Sequence, residues 1–289
     1  MKNNCTIIDG KNIAESLLEY VSDRVVHLKK SFNITPGLAV IQAGNNEASN
    51  IYVRNKMLSA QKVGINTFPN LLPEDVTTNE LISIIESLNN KLEVHGILVQ
   101  LPLPKQVDSD LVLNAINPEK DVDGFTYVNV GRLYSGVNGL ESCTPQGAMM
   151  LIKHVLGNDL SGKKAVVLGR SRIVGRPMVA MLIRENCTVT VAHSYSINIE
   201  AEVKSADILV SAVGVPNFVK GEWLKEGCCV IDVGIIRLEN KLYGDVDFES
   251  ASKVAGYITP VPGGVGPMTV ACLMKNTLKA CCQISGIHI

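Results

Sequence analysis

The sequence predicts an α/β fold with two domains, each a mostly parallel sheet covered by helices. Short apolar runs of strand length alternate with amphipathic stretches at helical spacing along the whole chain. The alternation stops between residues 118 and 144, in a segment rich in Gly, Asn and Asp, and then resumes. A length of 289 residues suits two domains of about 150 residues each.

The first half contains three predicted strands separated by helices. Apolar residues recur every three or four positions from Ile13 to Leu28, which indicates an amphipathic helix. Thr77 and Glu80 match a capping box and mark another helix start. The predicted elements that follow the first helix are strand 37–41, helix 49–62, strand 65–71, helix 78–88 and strand 96–100.

The second half shows the same alternation with an unrelated sequence. Thr144 and Pro145 are typical of an N-cap followed by proline at the first helical position, so a helix is expected over 146–156 and a domain boundary near 140–147. The later predicted elements are strand 164–168, helix 177–185, strand 188–192, helix 199–205, strands 208–213 and 229–233, loop 258–269 and an apolar helix to about Cys282.

Composition and charge argue against nucleic acid or a membrane as a partner. The chain has 27 basic and 28 acidic side chains, a net charge of −1, and no basic stripe that could neutralise phosphates. No window reaches about 18 uninterrupted apolar residues, and residues 1–5 do not resemble the start of a signal peptide. The eight cysteines show no CxxC pattern, so we expect reduced, buried thiols in a cytoplasmic protein with no metal site.

The strand, loop and helix over 164–185 predict a dinucleotide site. A glycine loop at such a junction lets backbone N–H groups and the helix N-terminus meet a pyrophosphate. Gly169 begins the loop, Ser171 stands where the second glycine of GxGxxG is usual, and Gly175 comes one residue late. A strand-to-helix turn without a ligand is the alternative interpretation.

The end of the next strand favours NADP over NAD. An NAD-preferring site places a carboxylate about 20 residues after the first glycine, but the sequence there is His193-Ser194-Tyr195-Ser196. Arg170 is near enough in sequence to attract a 2′-phosphate, and Ser194 could hydrogen bond with it. His193 is equally well interpreted as a polar residue at a strand end.

A second set of polar residues predicts a catalytic site. Tyr52 and Lys56 are four residues apart and project from one helix face, although such a pair alone more often lies on a solvated face. Gln100 ends a predicted strand, and Asp121 and Asp123 share a glycine-containing loop. The glycine-dense loop 258–269 would present bare backbone to a flat ligand.

Nine motifs follow one another across nearly the whole chain. They are S-xx-YV-xx-K (49–56), GILVQLPLP (96–104), PEKDVDGF (118–125), NVGRL (129–133), CTPQG (143–147), VVLGRSRIVGRP (166–177), VIDVGIIRL (230–238), GDVDF (244–248) and ITPVPGGVGPMT (258–269). Together they resemble the family of bifunctional methylenetetrahydrofolate dehydrogenases/methenyltetrahydrofolate cyclohydrolases. The resemblance implies two α/β domains around a cleft: an N-terminal α/β catalytic, folate-binding domain (1–143 plus 271–289) and a Rossmann-like NAD(P)-binding domain (144–270).

The resemblance also implies residue roles. Lys56 matches the catalytic lysine, Gln100 its partner, and Tyr52 the residue that stacks on the folate. Asp123, rather than Asp121, matches the carboxylate that anchors the pterin. Leu101, Pro262 and Gly263 match further substrate contacts, the last two in a loop that closes over the substrate, and Gly169, Arg170, Ser171, Ser194 and Ile235 match the NADP contacts.

The implied reaction oxidises 5,10-methylenetetrahydrofolate with NADP and hydrolyses the methenyl product to 10-formyltetrahydrofolate. A cationic lysine beside a cationic substrate is disfavoured, so Lys56 would act as a neutral amine held by the uncharged Gln100. Arg172, Ile236 and Ser196 depart from the usual family residues, all on the cofactor side.

Further expectations follow from the same resemblance. The family implies a homodimer with a small-molecule folate as the substrate. Because the sequence ends at Ile289, we expect no formyltetrahydrofolate synthetase activity. Two rival functions are a monofunctional dehydrogenase, against which the presence of both Lys56 and Gln100 argues, and a catalytically silent nucleotide-sensing module, which would not need this polar set.

Overall fold

The computed structural model describes residues 5–239 and 241–287, so residues 1–4 and 288–289 of the predicted catalytic domain lie outside the described residues. The described chain clusters into two compact units. The six-stranded unit comprises residues 5–14 with Thr144–Thr269, and the three-stranded unit comprises Glu15–Cys143 with residues 270–287. Among the described helices, none combines the length and the apolar character that crossing a membrane requires.

The elements alternate between strand and helix along most of the chain. The strands are β1 (Thr6–Ile7), β2 (Gly37–Ala43), β3 (Asn66–Leu72), β4 (Gly96–Val99), β5 (Lys164–Leu168), β6 (Thr188–Ala192), β7 (Ile208–Ser211), β8 (Cys229–Asp232), β9 (Ile236–Leu238), β10 (Lys241–Tyr243) and β11 (Tyr257–Ile258). The helices are α1 (Gly10–Phe32), α2 (Glu47–Lys62), α3 (Thr78–Asn90), α4 (Ser109–Asn114), α5 (Tyr127–Tyr134), α6 (Cys143–Leu156), α7 (Gly175–Arg184), α8 (Ile199–Lys204), α9 (Phe248–Ala251) and α10 (Val265–Ile284).

The three-stranded unit has a parallel sheet in the order β3-β2-β4. Every residue of β2 and β4 is buried, as expected of continuous apolar runs in a covered parallel sheet. Its core packs Ile41 and Ile97 of the sheet with Ile85 of α3. The predicted capping box is confirmed, because Thr77 Oγ1 accepts from Glu80 N at 3.3 Å and Thr77 N donates to Glu80 Oε2 at 2.8 Å.

The predicted break over 118–144 contains a helix. Helix α5 follows Thr126, whose side chain accepts from Asn129 N, and it is too short for hydrophobic periodicity to reveal. The predicted N-cap at Thr144 is wrong, because α6 begins at Cys143. Pro145 therefore lies in the first helical turn, where its missing N–H removes no hydrogen bond within the helix.

The six-stranded unit has a sheet in the order β1-β11-β8-β7-β5-β6, and all of its pairs are parallel. Strand β5 lies between β6 and β7, so the strand order reverses there, and ligands of such sheets bind at the carboxyl ends of the strands at this point. The structure differs from the predicted domain 1–143 at its start, since Thr6 pairs with Tyr257 and Ile7 with Ile258. A strand of two residues carries too little periodicity to be predicted.

Candidate active site

The three-stranded unit brings Lys56 and Gln100 together. Lys56 lies on α2, and Gln100 is the first residue after β4. Lys56 Nζ donates to Gln100 Oε1 at 3.1 Å, and both side chains are partly buried. Gln100 Nε2 donates to Leu101 O at 2.7 Å, and Gln100 N donates to Ile41 O at 2.8 Å. The amide is therefore held so that its oxygen faces the lysine.

Asp123 lies in the electrostatic environment of Lys56. Burial raises the pKa of the Asp123 carboxyl, the Lys56 charge opposes this rise, and the neighbouring Asp121 adds to it. Cys143 is buried, and burial raises the pKa of its thiol well above the usual value, so the thiol keeps its proton and donates to Val122 O at 3.3 Å. Lysine, glutamine and carboxyl thus meet in one region of this unit.

Asp121 has a structural environment that differs from that of Asp123. Its side chain is 1% exposed and accepts from Phe125 N at 3.1 Å and from Thr126 N and Oγ1 at 2.8 and 2.7 Å. Asn129 Nδ2 donates to it at 3.0 Å. These four bonds occupy both oxygens of Asp121 and order the start of α5. The family resemblance assigns the pterin anchor to Asp123 rather than Asp121, and this assignment stays a prediction.

Asn276 is a residue near this region that sequence reasoning missed. It lies on α10, is 1% exposed, and donates through Nδ2 to Val122 O and to Glu141 O, each at 2.8 Å. The same amide contacts Cys143 Sγ at 3.5 Å. Asn276 therefore ties the loop that carries Asp123 to the segment before α6. Asn276 stands between Lys275 and Thr277 in the sequence, so no local pattern separates it from the other polar residues of this helix.

Tyr52 lies one helical turn before Lys56 on α2. Its side chain is 39% exposed, and partial burial raises the pKa of its phenol. A half-exposed ring offers a flat face on which an aromatic ligand can stack.

The glycine loop of the six-stranded unit closes tightly after β5. Gly169 has φ +102°, and a Cβ there would collide with the carbonyl oxygen of Ala212. A Cβ on Gly175, the first residue of α7, would collide with Gly169 O. Ser171 Oγ accepts from Val174 N and Gly175 N at 3.2 Å each. This tight cradle at a helix N-terminus fits a pyrophosphate.

The structure places Arg170 beside the turn that carries Ser194. The guanidinium carbon of Arg170 lies 5.8 Å from the centre of the Tyr195 ring. His193 Nδ1 accepts from Tyr195 N at 3.2 Å, which agrees with the interpretation of His193 as a polar residue that orders the strand end. The turn over 193–196 contains no carboxylate, so nothing in it repels a 2′-phosphate.

The remaining predicted residues of this unit lie in loops. Ile235 lies three residues after the end of β8, and its side chain is 43% exposed. Gly263 has φ +107°, and its carbonyl accepts from Lys11 N at 3.0 Å. Pro262 precedes it in a loop that is shorter than predicted, because α10 begins at Val265. Substrate contact by Pro262 and Gly263 stays a prediction.

These two units define an NAD(P)-linked α/β enzyme with a lysine-containing site. Residues 8–123 match the model of the tetrahydrofolate dehydrogenase/cyclohydrolase catalytic domain, and residues 142–285 match the model of the tetrahydrofolate dehydrogenase/cyclohydrolase NAD(P)-binding domain. The chain belongs to the tetrahydrofolate dehydrogenase/cyclohydrolase family. The predicted family and the predicted two-domain α/β class are confirmed.

Individual relatives agree over almost the full length. The chain is 51% identical to the bifunctional protein FolD 2 of Paracoccus denitrificans over 290 aligned positions, covering 99% of this chain and 96% of the relative. The structure of bifunctional FolD from Campylobacter jejuni superimposes with a TM-score of 0.94 at 45% identity, covering 97% of this chain and 99% of the other. A Trypanosoma brucei FolD solved with NADP cofactor and an inhibitor gives a TM-score of 0.93 at 40% identity, covering 97% and 98%.

Proposed function

We propose that this chain oxidises 5,10-methylenetetrahydrofolate with NADP and hydrolyses the methenyl product to 10-formyltetrahydrofolate, using Lys56, Gln100, Tyr52 and Asp123. The observation that carries the proposal is the 3.1 Å hydrogen bond between Lys56 Nζ and Gln100 Oε1 in the environment of Asp123. The test is a spectrophotometric assay with methylenetetrahydrofolate and either NADP or NAD. Reduced cofactor must form, and the methenyl absorbance must then decay faster than in buffer. Failure of either signal contradicts the proposal.

The hydrolytic step needs a group that takes a proton from water. The methenyl substrate is a cation, which disfavours a second positive charge on Lys56 and favours its neutral amine. Gln100 orients that amine by a hydrogen bond without supplying a charge that would retain the proton. Lys56 Nζ accepts a proton as the water oxygen bonds to the methenyl carbon. The bond from that carbon to N5 then breaks, one water proton ends on N5, and the other leaves through Lys56 to solvent.

Binding of the folate is assigned to Asp123 and Tyr52. A carboxylate can accept paired hydrogen bonds from the amino group and ring N–H of a pterin, and such charge-assisted pairs fix orientation as well as position. The half-exposed Tyr52 ring supplies a stacking face. Leu101 adds an apolar contact directly after Gln100. These residues hold the reacting carbon in register for both steps.

The cofactor contacts are assigned to the six-stranded unit. Gly169, Ser171 and the N-terminus of α7 form the cradle that fits a pyrophosphate, and Arg170 and Ser194 are assigned to the 2′-phosphate. Ile235 adds an apolar contact. When bound, NADP accepts the hydride from the methylene carbon. The residues of the chain bind and orient it, because hydride transfer depends chiefly on the relative position of the two reactants.

The rival functions are less well supported. A monofunctional dehydrogenase has no use for an amine oriented by Gln100, and a nucleotide-sensing module has no use for the set of Tyr52, Lys56, Gln100 and Asp123. We also propose a homodimer, on the family resemblance, and a cytoplasmic location. All eight cysteines are free, which suits a reducing compartment.

Cofactor preference gives a direct prediction. Arg170→Ala is expected to lower kcat/KM with NADP by roughly 10- to 100-fold, because a charged hydrogen bond contributes about 1.5–3 kcal/mol. The value with NAD, which lacks the 2′-phosphate, should stay within about twofold. The measurement is kcat/KM with each cofactor for the wild type and the variant.

The matched control is Arg184→Ala, at the exposed C-terminal end of α7. It removes the same charge from the helix that follows the glycine loop, and the NADP/NAD ratio should be unchanged. An Arg170→Ala enzyme that keeps the wild-type ratio would assign the 2′-phosphate contact to other residues.

A further inference from the structure

Two buried aspartates in the six-stranded unit have no part in the proposed reaction. Asp232 is the last residue of β8 and is 3% exposed, and Asp245 follows β10 and is 0% exposed. A buried carboxylate is stable only when donors satisfy it. The donors around these two side chains therefore show what the aspartates hold in place.

Asp245 binds the segment that follows β7. Its Oδ2 accepts from Val213 N at 2.7 Å and from Ser211 Oγ at 3.2 Å. Its Oδ1 accepts from Gly214 N at 2.9 Å and from Val215 N at 3.2 Å. Three consecutive backbone N–H groups therefore point at one carboxylate, and the direction of the chain after β7 depends on it.

Asp232 accepts hydrogen bonds from two further segments, one at Gly234 and one at residues 245–246. Its Oδ1 accepts from Gly234 N at 3.0 Å and from Asp245 N at 2.9 Å, and its Oδ2 accepts from Val246 N at 2.9 Å. A Cβ on Gly234 would collide with the Asp245 carboxylate, and a Cβ on Gly244 would collide with that of Asp232. The two side chains and three loop segments form one interlocked cluster.

The cluster of Asp232 and Asp245 lies at the carboxyl ends of β7 and β8, close to the reversal of strand order. The glycine loop follows β5 at the reversal of strand order, and the turn assigned to the 2′-phosphate follows β6. In such sheets the two halves of a dinucleotide lie on either side of the reversal. The carboxyl ends of β7 and β8 lie on the side opposite β6, where the nicotinamide half belongs. The segments held by the two aspartates are the ones that follow these strands.

We propose that Asp232 and Asp245 are positioning residues that hold segments 213–215 and 234–235 in the arrangement that receives the nicotinamide half of the cofactor. This inference rests on the proposed function for the identity of the cofactor. The aspartates do not contact the reacting atoms. They act through the backbone of residues 213–215 and of Gly234, which precedes the predicted cofactor contact Ile235.

A role in stability alone accounts less well for this cluster. Buried carboxylates cost free energy of desolvation, and apolar replacements of buried charges are often as stable or more stable. Burial raises the pKa of both side chains here, that of Asp232 to about 7. Fold stability alone would not require two buried carboxylates around these loops. A requirement for a fixed backbone at residues 213–215 and 234 does explain the two carboxylates.

The test compares three variants of the full chain. Asp245→Asn keeps the shape, but either orientation of its amide places an NH₂ group against two donors. In Asp232→Asn the amide oxygen can keep the two bonds from Gly234 N and Asp245 N, so that only the bond from Val246 N is lost, and this variant is expected to fold even if Asp245→Asn does not. Asp207→Asn is the matched control. Asp207 accepts from Lys164 N and Lys225 Nζ at the opposite edge of the same sheet, where β5 and β7 begin.

Two measurements need no turnover: calorimetric titration with NADP, and hydrogen exchange of the amides of residues 213–215 without ligand. We expect Asp245→Asn and Asp232→Asn to weaken NADP binding by roughly 10- to 100-fold, the effect of one or two lost charged hydrogen bonds. In Asp245→Asn, exchange at 213–215 should accelerate by about tenfold or more. The cyclohydrolase rate, which does not depend on the nicotinamide, should stay within about threefold. Asp207→Asn should leave NADP affinity and this exchange unchanged.

The outcomes that would overturn the positioning role differ from the outcome that would overturn the proposed function. Unchanged NADP affinity in both cluster variants, or equal weakening in Asp207→Asn, overturns the positioning role while leaving the proposed function intact. Loss of the cyclohydrolase rate in parallel with NADP affinity would reveal general unfolding and also overturn it. A wild-type chain that does not bind NADP contradicts the proposed function itself.

Discussion

Lys56→Met is expected to abolish cyclohydrolase activity while hydride transfer remains measurable. Methionine preserves most of the length of the side chain but has no Nζ, so nothing accepts from water and nothing donates to Gln100 Oε1. Removal of a positioned general base lowers rates by about 10²- to 10⁴-fold. Hydride loss from the methylene carbon transfers no proton to Lys56, so this step loses only what the lysine contributes to positioning.

The measurement follows NADPH formation and methenyl absorbance in the same reaction. In the variant the methenyl intermediate should accumulate, whereas in the wild type it should decay to 10-formyltetrahydrofolate. Lys62→Met is the matched control, because Lys62 lies on the exposed last turn of the same helix. It should leave both rates unchanged. If both activities survive Lys56→Met, the role assigned to the lysine is wrong.

The buried elements of the fold could be predicted from local sequence because their signals are local. Strands β2 and β4 are uninterrupted apolar runs, and Thr77 and Glu80 start α3 within a single helical turn. The Lys56–Gln100 pair is different, since 44 residues separate its members. The local pattern predicts a helix that contains Lys56 and a strand that ends one residue beyond β4, at Gln100, but only the family resemblance assigns the two residues to one site.

Other features were missed because their stabilisation is not local. Strand β1 has two residues and gains its order from pairing with β11, more than 240 positions later in sequence. Asn276 reaches Val122 across 154 residues, and no pattern around position 276 announces that partner. The same holds for Asp245, whose four donors lie 30 to 34 residues earlier. Polar groups that satisfy distant backbone atoms are recognised only once the backbone is in place.

Asp123→Asn is expected to raise KM for the folate substrate by about 10- to 100-fold, because one acceptor oxygen becomes an NH₂ donor that faces a donor on the pterin. The free energy of unfolding should not fall. Burial raises the pKa of Asp123, so the folded state already disfavours the carboxylate relative to the unfolded chain, and a neutral isostere removes that penalty.

Asp121→Asn should do the opposite to stability and lower the free energy of unfolding by about 1–3 kcal/mol, because four donors then share one remaining oxygen acceptor.

The pH dependence supplies an independent readout of the same assignment. A raised pKa means that Asp123 takes up its proton at a higher pH than an ordinary aspartate. The wild-type KM for folate should therefore rise as pH falls through that raised pKa, and the Asp123→Asn enzyme should lack this rise. The measurement is the KM for folate from initial rates of the wild type and of Asp123→Asn across the acidic range, with unfolding followed in parallel. An Asp123→Asn enzyme with the wild-type KM and the wild-type pH profile would show that this carboxylate does not anchor the pterin, and the substrate site would have to be assigned elsewhere.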